Sequence, residues 1–255
     1  MEQEIFRRGS TTFYAGAQLF PKAIRLDVER LYSFLRVADD YVDSLPARPK
    51  RFLALRQAWD TAKDNPRFDT NPDSKDTVDQ RVIKNIVQLT RTYAFDPAWI
   101  ESFWNSMQAD LDGKTYQTLD DTLAYMYGSA EVVGQMMTRL MHLPPEADEY
   151  AKLQGRALQW ANFIRDISED VMLGRCYFPK TDLEQFGLSD LSERTARSKP
   201  EAFRRFIRFE AARYDDWQAE ARGGLAYIPA AFRPAVTAAI DIYALAVRYS
   251  AGRHI

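Results

Sequence analysis

The chain has 255 residues, and its 34 Lys and Arg against 36 Asp and Glu give a formal net charge of −2. This balance, with the basic residues dispersed along the chain, argues against a nucleic-acid partner. A hydrophobic content of 46% is ordinary for a globular protein, and no run of about 18 apolar residues predicts a membrane-spanning helix. The single cysteine, Cys176, excludes an internal disulfide and fits a reducing compartment. We therefore expect a cytoplasmic protein.

Helical periodicity dominates the chain, and no alternating Val/Ile/Thr-rich run bounded by turns predicts a strand. The fold class is therefore all-α, and no composition shift divides residues 1–255 into separate domains. The segment 64–76, with two Asn-Pro steps, predicts a surface loop. In chain order, helices are predicted to start near Ser10–Thr12, to run from Pro21 to about Ser44, and to span about 49–63, 78–93, 97–111, 119–141, a central helix ended by Tyr177-Phe178-Pro179, 200–222 and 229–249.

A polar stripe marks the central helix. At about 100° per residue, four of its side chains fall within roughly 80° of one another: Gln159, Asn162, Asp166 and Asp170. Like charges four residues apart cost an isolated helix about 0.2–0.5 kcal/mol, and more where they face inward. A lone D-x-x-x-D pair is most often a solvated acidic face. Here the stripe continues into amides, with Arg165 beside it and Arg175 after it, which a solvated face explains less well, and a positive group is expected to compensate the repulsion between the carboxylates.

A second stripe of the same kind lies on the helix that follows Pro21. Within roughly 60° on the helical wheel this helix carries Tyr32, Arg36, Asp39 and Asp43. Asp40 sits one step aside and is interpreted as a surface charge. Two facing carboxylate pairs would supply the oxygen ligands that Mg²⁺ prefers, and the arginines suit phosphate groups. Because no Walker loop is present, nucleotide binding is not expected.

Two further features bear on the interior. Small residues cluster in the predicted helix 119–141, at Gly128, Ser129, Ala130 and Gly134. Mid-helix glycine costs about 0.5–1 kcal/mol relative to alanine, so these positions indicate either close helix packing or space for a ligand.

Asp110 and Asp112, at the end of helix 97–111, are interpreted as a solvated terminus. An apolar helical cavity with a Mg²⁺–diphosphate site at one end is what ionising a prenyl diphosphate requires.

At this level of detail the sequence resembles the squalene/phytoene synthase family, and within it the bacterial phytoene synthases. The matching segments cover nearly the whole chain: SxTFY at Ser10 with Phe20-Pro21, LYSFLRVADDYVD, YMYGSAEVVG, QWANFIRDISEDVMLGRCYFP and RPAVTAAIDIY. The resemblance implies an isoprenoid-synthase helical bundle around a central cavity. It also implies Mg²⁺-dependent, head-to-head condensation of two geranylgeranyl diphosphates to phytoene, through a cyclopropylcarbinyl diphosphate.

The resemblance also implies roles for individual residues. The Mg²⁺ ligands, with Mn²⁺ as a substitute metal, would be Asp39, Asp43, Asp166 and Asp170. Positions that bind or shield the diphosphates are matched by Ser10, Thr12, Arg36, Gln159, Asn162, Arg165, Arg175, Tyr177 and Tyr243. Positions that line the tunnel or face a carbocation are matched by Tyr32 and Tyr125. Relatives usually continue for some tens of residues past Tyr243, so the last helix of the family is expected to be missing or shortened.

The chain length of the substrate is less directly encoded. Relatives that make C30 products tend to carry bulky aromatic residues where this chain has Ala17 and Glu29, and small Ala17 favours a longer tunnel and a C20 substrate. Two alternatives stay open: a dehydrosqualene or squalene-type synthase that uses two farnesyl diphosphates, and an inactive family member that acts as an assembly factor. We also expect peripheral membrane contact near Phe13, Leu19 and Phe20. The oligomeric state is not predicted.

Overall fold

The computed structural model describes residues 17–253, except for the side chain of Arg253. Ser10, Thr12 and Phe13 therefore lie outside the described residues. Within the described range the chain forms helices and no β-strand, which confirms the all-α prediction. The α-helices are α1 (Lys22–Asp43), α2 (Pro49–Lys63), α3 (Val78–Tyr93), α4 (Pro97–Leu111), α5 (Leu119–Met126), α6 (Val132–Leu140), α7 (Asp148–Arg165), α8 (Ile167–Met172), α9 (Lys180–Gln185), α10 (Glu193–Ser198), α11 (Pro200–Ala221) and α12 (Arg233–Arg253).

Helices α2, α3 and α4 have the predicted bounds because local chemistry sets their ends. The hydroxyl of Thr77 accepts a hydrogen bond from the backbone of Gln80, whose side chain bonds back, in a capping box. Asp96 caps α4 through the backbone amide of Ala98, and Pro97 fits the first helical turn, where no amide donor is needed. These signals are contained within a few residues, so the sequence alone carries them.

Helix α7 is the central element of the fold. It packs against α6, α11 and α12. Trp160 on α7 is fully buried, and its indole Nε1 donates to the carbonyl oxygen of Glu210 at 3.1 Å. One buried hydrophobic cluster is built mainly from α1–α4 and α6. A second is built from α5 and α7–α12. The residues of α7 between these clusters are therefore held firmly in place.

The predicted helix 119–141 is not continuous. A π-helical turn at Tyr127–Glu131 separates α5 from α6. A Cβ atom added at Gly128 would lie 2.1 Å from the carbonyl oxygen of Ser102, and one at Gly134 would lie 2.1 Å from that of Ala151. No side chain fits either position. Of the two explanations offered for these glycines, close backbone packing therefore holds at both.

The central helix is also interrupted, contrary to the prediction of one continuous run. Asp166, with φ −101° and ψ 13°, leaves helical geometry between α7 and α8. Asp166 N still donates to Asn162 O, and Asp170 N to Asp166 O, each at 2.8 Å. The two aspartates therefore stay one turn apart across the bend. Gly174 then ends the helix at φ +73°, a conformation that favours glycine.

The C-terminal helix starts later than predicted. Pro229–Phe232 forms a turn, in which Phe232 N donates to Pro229 O at 2.9 Å, and α12 begins at Arg233. At its other end the helix continues past the predicted residue 249 to Arg253. In the part of the chain that the structure describes, no helix is both long and apolar enough to cross a membrane.

Candidate active site

A cavity of about 430 Å³ lies among α1, α6, α7 and α12. This volume is typical of a small-molecule site. Its walls are mostly apolar, with Val28, Leu31, Val133, Leu158 and Ile240 among them. One end, where α1 and α7 finish, is polar, and we call it the polar end. The polar end is formed by Arg36, Asp39, Gln159, Asn162, Arg165 and Tyr243, next to Tyr32.

On the α1 side of the polar end, Arg36 contacts two carboxylates. Its Nη2 lies 2.6 Å from Asp40 Oδ1, and its Nη1 lies 3.4 Å from Asp39 Oδ2. Asp40 is thus paired with arginine and half exposed, as expected of a surface charge. Burial, and then repulsion by Asp43, raises the pKa of Asp39 to about 8. Negative charge at Asp39 is therefore poorly compensated by the protein.

On the α7–α8 side, Arg165 and Asp166 form a two-point ion pair. Arg165 Nε donates to Asp166 Oδ1 and Nη2 to Oδ2, each at 2.6 Å. Asp170, one turn later, has its pKa raised to about 7 by burial and then by the charge of Asp166. In each of the two acidic pairs, Asp39 with Asp43 and Asp166 with Asp170, a bound cation would therefore reduce the repulsion between the carboxylates.

Arg175 connects the two sides. Its guanidinium donates to the carboxylate of Asp43 and, at 3.1 Å, to the carbonyl oxygen of Val42, and only 10% of its side chain is exposed. The chain turns at Gly174, which has a positive φ. After the turn, the backbone amide of Arg175 donates to the carbonyl oxygen of Asp170 at 2.8 Å, and the Arg175 side chain extends to α1. The two acidic pairs, separated widely in sequence, are thereby brought to one place.

Asp110 belongs to this same group, and its interpretation as a solvated terminus is wrong. It accepts hydrogen bonds from the hydroxyls of Tyr125 at 2.7 Å and Tyr177 at 2.8 Å. Burial raises its pKa to about 6, opposed by the nearby charge of Arg175. Helix-terminal carboxylates are ordinarily solvated, and its partners lie 15 and 67 residues away. No local sequence signal marks this residue.

Aromatic rings cover the site beside Asp110. The ring of Tyr177 stacks on Phe163 at 4.5 Å and 8° and lies 5.1 Å from Tyr125. Thr122 Oγ1 donates to the carbonyl oxygen of Tyr177 at 2.9 Å, which fixes this ring to α5. Burial raises the pKa of the Tyr177 and Tyr125 hydroxyls well above the usual value. Both therefore stay protonated and act as hydrogen-bond donors.

Two more tyrosines face the polar end. Tyr243 on α12 has its hydroxyl beside Asn162 and Arg165, and burial raises its pKa. Burial also raises the pKa of Tyr32, whose hydroxyl lies near Arg36 and Asp39. Asn162 Nδ2 donates to Gln159 Oε1 at 3.3 Å. Of the site residues predicted by the sequence, those that line the cavity are Ala17, Tyr32, Arg36, Asp39, Tyr125, Gln159, Asn162, Arg165 and Tyr243. The other predicted residues within 17–253 are outside this lining and are connected to it or to one another by the contacts described above: Asp43, Asp166, Asp170, Arg175 and Tyr177.

The residues at the polar end fit a hard divalent cation. Among residues 17–253 no three carboxylate, imidazole or thiolate groups already converge as a ready-made metal cage. The available donors are carboxylates, the ligands that Mg²⁺ prefers, and burial, followed by repulsion from a neighbouring carboxylate, raises the pKa of Asp39 and of Asp170. Asn162 Oδ1 is buried and makes no hydrogen bond within the described residues. A divalent cation held by these carboxylates would offset their negative charge.

Helices enclosing an apolar cavity, with acidic and arginine side chains meeting at one end, define an all-α protein of the isoprenoid-synthase class. Residues 6–248 match the family model described as Squalene/phytoene synthase. The chain is 32% identical to a 15-cis-phytoene synthase from Paracoccus sp. over 250 residues, covering 94% of this chain and 78% of the relative. It is 30% identical to a phytoene synthase from Rhodobacter capsulatus, covering 95% and 70%. The chain belongs to the squalene/phytoene synthase family.

Solved structures confirm the fold expected from the resemblance. The squalene synthase HpnC from Alicyclobacillus acidocaldarius has a TM-score of 0.78 at 22% identity, covering 99% of this chain and 92% of that chain. A dehydrosqualene synthase solved with a ligand has a TM-score of 0.80 at 23% identity, covering 95% and 82%. The predicted enzyme class, prenyltransferase, is confirmed by the family match and the phytoene synthase relatives.

Proposed function

We propose that this protein catalyses the Mg²⁺-dependent, head-to-head condensation of two geranylgeranyl diphosphates to phytoene. One observation carries the proposal: Arg36, Asp39 and Arg165 line one end of a mostly apolar cavity, and Arg175, which follows the second acidic pair, donates to Asp43 of the first pair. Relatives named as phytoene synthases support the product. Two diphosphate anions leave and two protons are lost from carbon, so the balance requires no reductant, whereas squalene formation would need a hydride donor.

The acidic residues would hold the metal and the arginines the substrate. Asp39, Asp43, Asp166 and Asp170 are the proposed ligands of Mg²⁺, or of Mn²⁺ in its place. Bound Mg²⁺ supplies positive charge that stabilises a departing diphosphate. Arg36, Arg165 and Arg175 present planar guanidinium groups that bind phosphate oxygens at two points. Substrate binding by Ser10 and Thr12 is proposed from the resemblance alone.

The remaining residues would orient the substrate and exclude water. The hydroxyls of Tyr32 and Tyr243 would donate hydrogen bonds to the substrate at the polar end, as would the amides of Gln159 and Asn162. The rings of Tyr32 and Tyr125 line the cavity, and the negative potential of their faces would stabilise a nearby carbocation. Asp110 fixes the ring of Tyr125 through its hydroxyl. The apolar walls then shelter the cation from water.

Product analysis tests the proposal. Protein and Mg²⁺ are incubated with the C15 and C20 diphosphates separately, and the products are separated by chromatography. A C40 hydrocarbon from the C20 substrate is expected. Turnover of the C15 substrate alone would support the farnesyl diphosphate alternative. No product from either, in a folded protein, would support the assembly-factor alternative.

The proposed role of Asp39 as a metal ligand is tested with the variant Asp39→Asn. Asp40→Asn is its matched control, since Asp40 is paired with Arg36 and half exposed.

Peripheral membrane contact is proposed because the substrates and product are long hydrocarbons. The contact residues named from the sequence need correction at Phe20, which is 5% exposed and packs against Phe232 with ring centroids 6.3 Å apart. Leu19 is 49% exposed and is available for contact. Co-sedimentation with liposomes tests this, with Leu19→Asp expected to weaken pelleting. Equal pelleting of the two proteins would exclude Leu19 as a contact.

A further inference from the structure

Tyr150 lies in the cavity wall far from the polar end. It belongs to the first turn of α7 and contributes to the lining with Ala147 and Ala151. Asn162, at the polar end, is twelve positions further along the same helix, about 18 Å away at 1.5 Å per residue. A prenyl chain whose diphosphate sits at the polar end therefore runs towards Tyr150.

The 3₁₀ turn Arg222–Tyr227 packs against Tyr150. A Cβ atom added at Gly223 would lie 2.6 Å from Tyr150 Cε1, and one at Gly224 would lie 2.6 Å from Tyr150 Cβ. The ring of Tyr150 thus rests directly on the backbone of the 3₁₀ turn Arg222–Tyr227. The ring of Tyr227, 5.8 Å away, is 37% exposed. We call Tyr150, Gly223 and Gly224 the end wall.

The start of α7 is held in place on the side of α6. Asp148, two residues before Tyr150, accepts hydrogen bonds from Arg139 Nη1 at 2.9 Å and Nη2 at 2.7 Å. Thr138 Oγ1 donates to the same carboxylate at 2.7 Å. A two-point arginine–carboxylate contact fixes orientation as well as distance. The backbone that carries Tyr150 therefore has little freedom to withdraw from the cavity.

The other side of the wall is fixed to α11. Gln154, four residues after Tyr150, exchanges two amide hydrogen bonds with Gln218, at 2.9 and 3.0 Å. Gln218 is 4% exposed. This reciprocal pair precedes the turn that carries Gly223 and Gly224 by one helical turn. These partly buried hydrogen bonds join the helix that carries Tyr150 to the helix that leads into the turn with Gly223 and Gly224.

We propose that the end wall sets the maximum length of a prenyl chain in this cavity, with Tyr150 as the specificity-determining residue. The proposal rests on the proposed function. A chain that is one isoprene unit longer would have to displace the Tyr150 ring, and the backbone of Gly223 and Gly224 blocks that movement. Closely packed interiors respond to such a misfit with strain, since they contain few voids that could absorb it.

The test is a competition between C20 and C25 prenyl diphosphates. Each protein is incubated with Mg²⁺ and equal amounts of both, and the ratio of the two chains in the products is measured. Tyr150→Ala should raise the C25/C20 ratio at least about tenfold, because a misfit of even one methylene group in a hydrophobic pocket changes substrate discrimination by about that factor. Tyr150→Phe keeps the ring and should leave the ratio unchanged. Phe186→Ala, which truncates a half-buried ring against Phe206 and Phe209, controls for general destabilisation.

A variant that fills the cavity tests the same wall in the opposite direction. Ala151→Leu adds bulk beside Tyr150 and should lower the C20/C15 ratio by a similar factor, which keeps the proposal testable if Tyr150→Ala does not fold. Normal condensation with unchanged ratios in both variants would overturn the role of the end wall and leave the proposed function intact. Absence of condensation in the unmodified protein would instead overturn the proposed function, and with it this inference.

Discussion

The guanidinium of Arg175 donates a hydrogen bond to the carboxylate of Asp43, 132 residues earlier in the chain. This contact joins the end of α1 to the segment after α8. It also places a positive charge between two groups of carboxylates whose pKa values are raised chiefly by burial and then by mutual repulsion. The acidic site is therefore stabilised by a residue that is itself proposed to bind substrate.

Replacing Arg175 with glutamine should lower the free energy of unfolding by about 1–2 kcal/mol in the absence of metal, because a charged hydrogen bond is lost at a site that stays partly exposed. Urea unfolding with a chelator measures this. Added Mg²⁺ should restore part of the loss, since it replaces the missing positive charge. A variant as stable as the unmodified protein under both conditions would contradict the stabilising role of this contact.

Asp39→Asn and Asp166→Asn should each abolish turnover, and Asp39→Asn should do so without lowering the free energy of unfolding. For Asp39 the reason is burial and the charge of Asp43, which raise its pKa to about 8, so that a neutral amide of the same shape relieves repulsion. Turnover at limiting Mg²⁺ and urea unfolding are measured together. Near-normal turnover in either variant would remove it from the proposed metal ligands, and Asp40→Asn should retain activity.

A pH-dependent contribution to stability is expected from Glu210, which is fully buried in the second cluster. Arg213 Nη1 lies 2.6 Å from its Oε2 and 2.7 Å from Asp182 Oδ2, so one cation serves two carboxylates. Burial raises the pKa of Glu210 from 4.5 to about 8, although Arg213 opposes the shift.

The folded protein therefore binds a proton that the unfolded chain releases between about pH 4.5 and 8. This contribution is complete below pH 4.5 and is lost as the pH rises through 8. Glu210→Gln should flatten the fall in unfolding free energy across that window, relative to the unmodified protein. Parallel pH profiles for the two proteins, measured by urea unfolding, would show that Glu210 is ionised throughout.

The close approach at Gly134 should make Gly134→Ala destabilising by about 1–3 kcal/mol, as expected of overpacking. The added methyl group would meet the carbonyl oxygen of Ala151 and push α6 away from α7. Gly252→Ala is the matched control, because nothing lies within 4 Å of a Cβ there, and a gain of up to about 1 kcal/mol is expected from helix propensity. Thermal unfolding measures both, and equal changes would argue against close packing at Gly134.

Ala17 is 3% exposed and lines the cavity. Ala17→Phe should therefore shift substrate preference from the C20 towards the C15 diphosphate, because the added ring occupies space needed by the longer chain. Competition between the two substrates measures the shift, and dependence on Mg²⁺ should be retained. If the unmodified protein already prefers the C15 substrate, the C40 assignment loses the support of this position.

The sequence was sufficient to predict the helices whose ends are chemically local. Pro97 follows a capping aspartate and Thr77 forms a capping box, and the approximate bounds predicted for α3 and α4 agree with the observed ones. The two acidic stripes were equally accessible, because spacing along one helix fixes which side chains share a face. Family resemblance supplied the expectation that both stripes serve one site.

Features that depend on distant partners could not be predicted in this way. Asp110 looks like any helix-terminal carboxylate until Tyr125 and Tyr177 are placed against it. The bend at Asp166 interrupts a pattern whose periodicity runs through it unchanged. Tyr150 becomes noticeable only when Gly223 and Gly224, more than seventy residues later, are found against its ring. In each case tertiary contact decides what the residue does.

The π-helical turn at Tyr127–Glu131 limits insertions and deletions in this segment, because it sets how the helix on each side faces its buried hydrophobic cluster. One extra residue in a helix rotates everything on one side of it relative to the other by about 100°. Tyr125 before the turn faces Asp110 and the second cluster, whereas Met136 after it packs in the first. Losing that single residue would leave a regular helix while turning one of its two surfaces away from its partner. A change in the length of this segment is therefore expected to disrupt packing on a whole helix face, whereas a substitution acts at one position, as at Gly128, where no side chain fits.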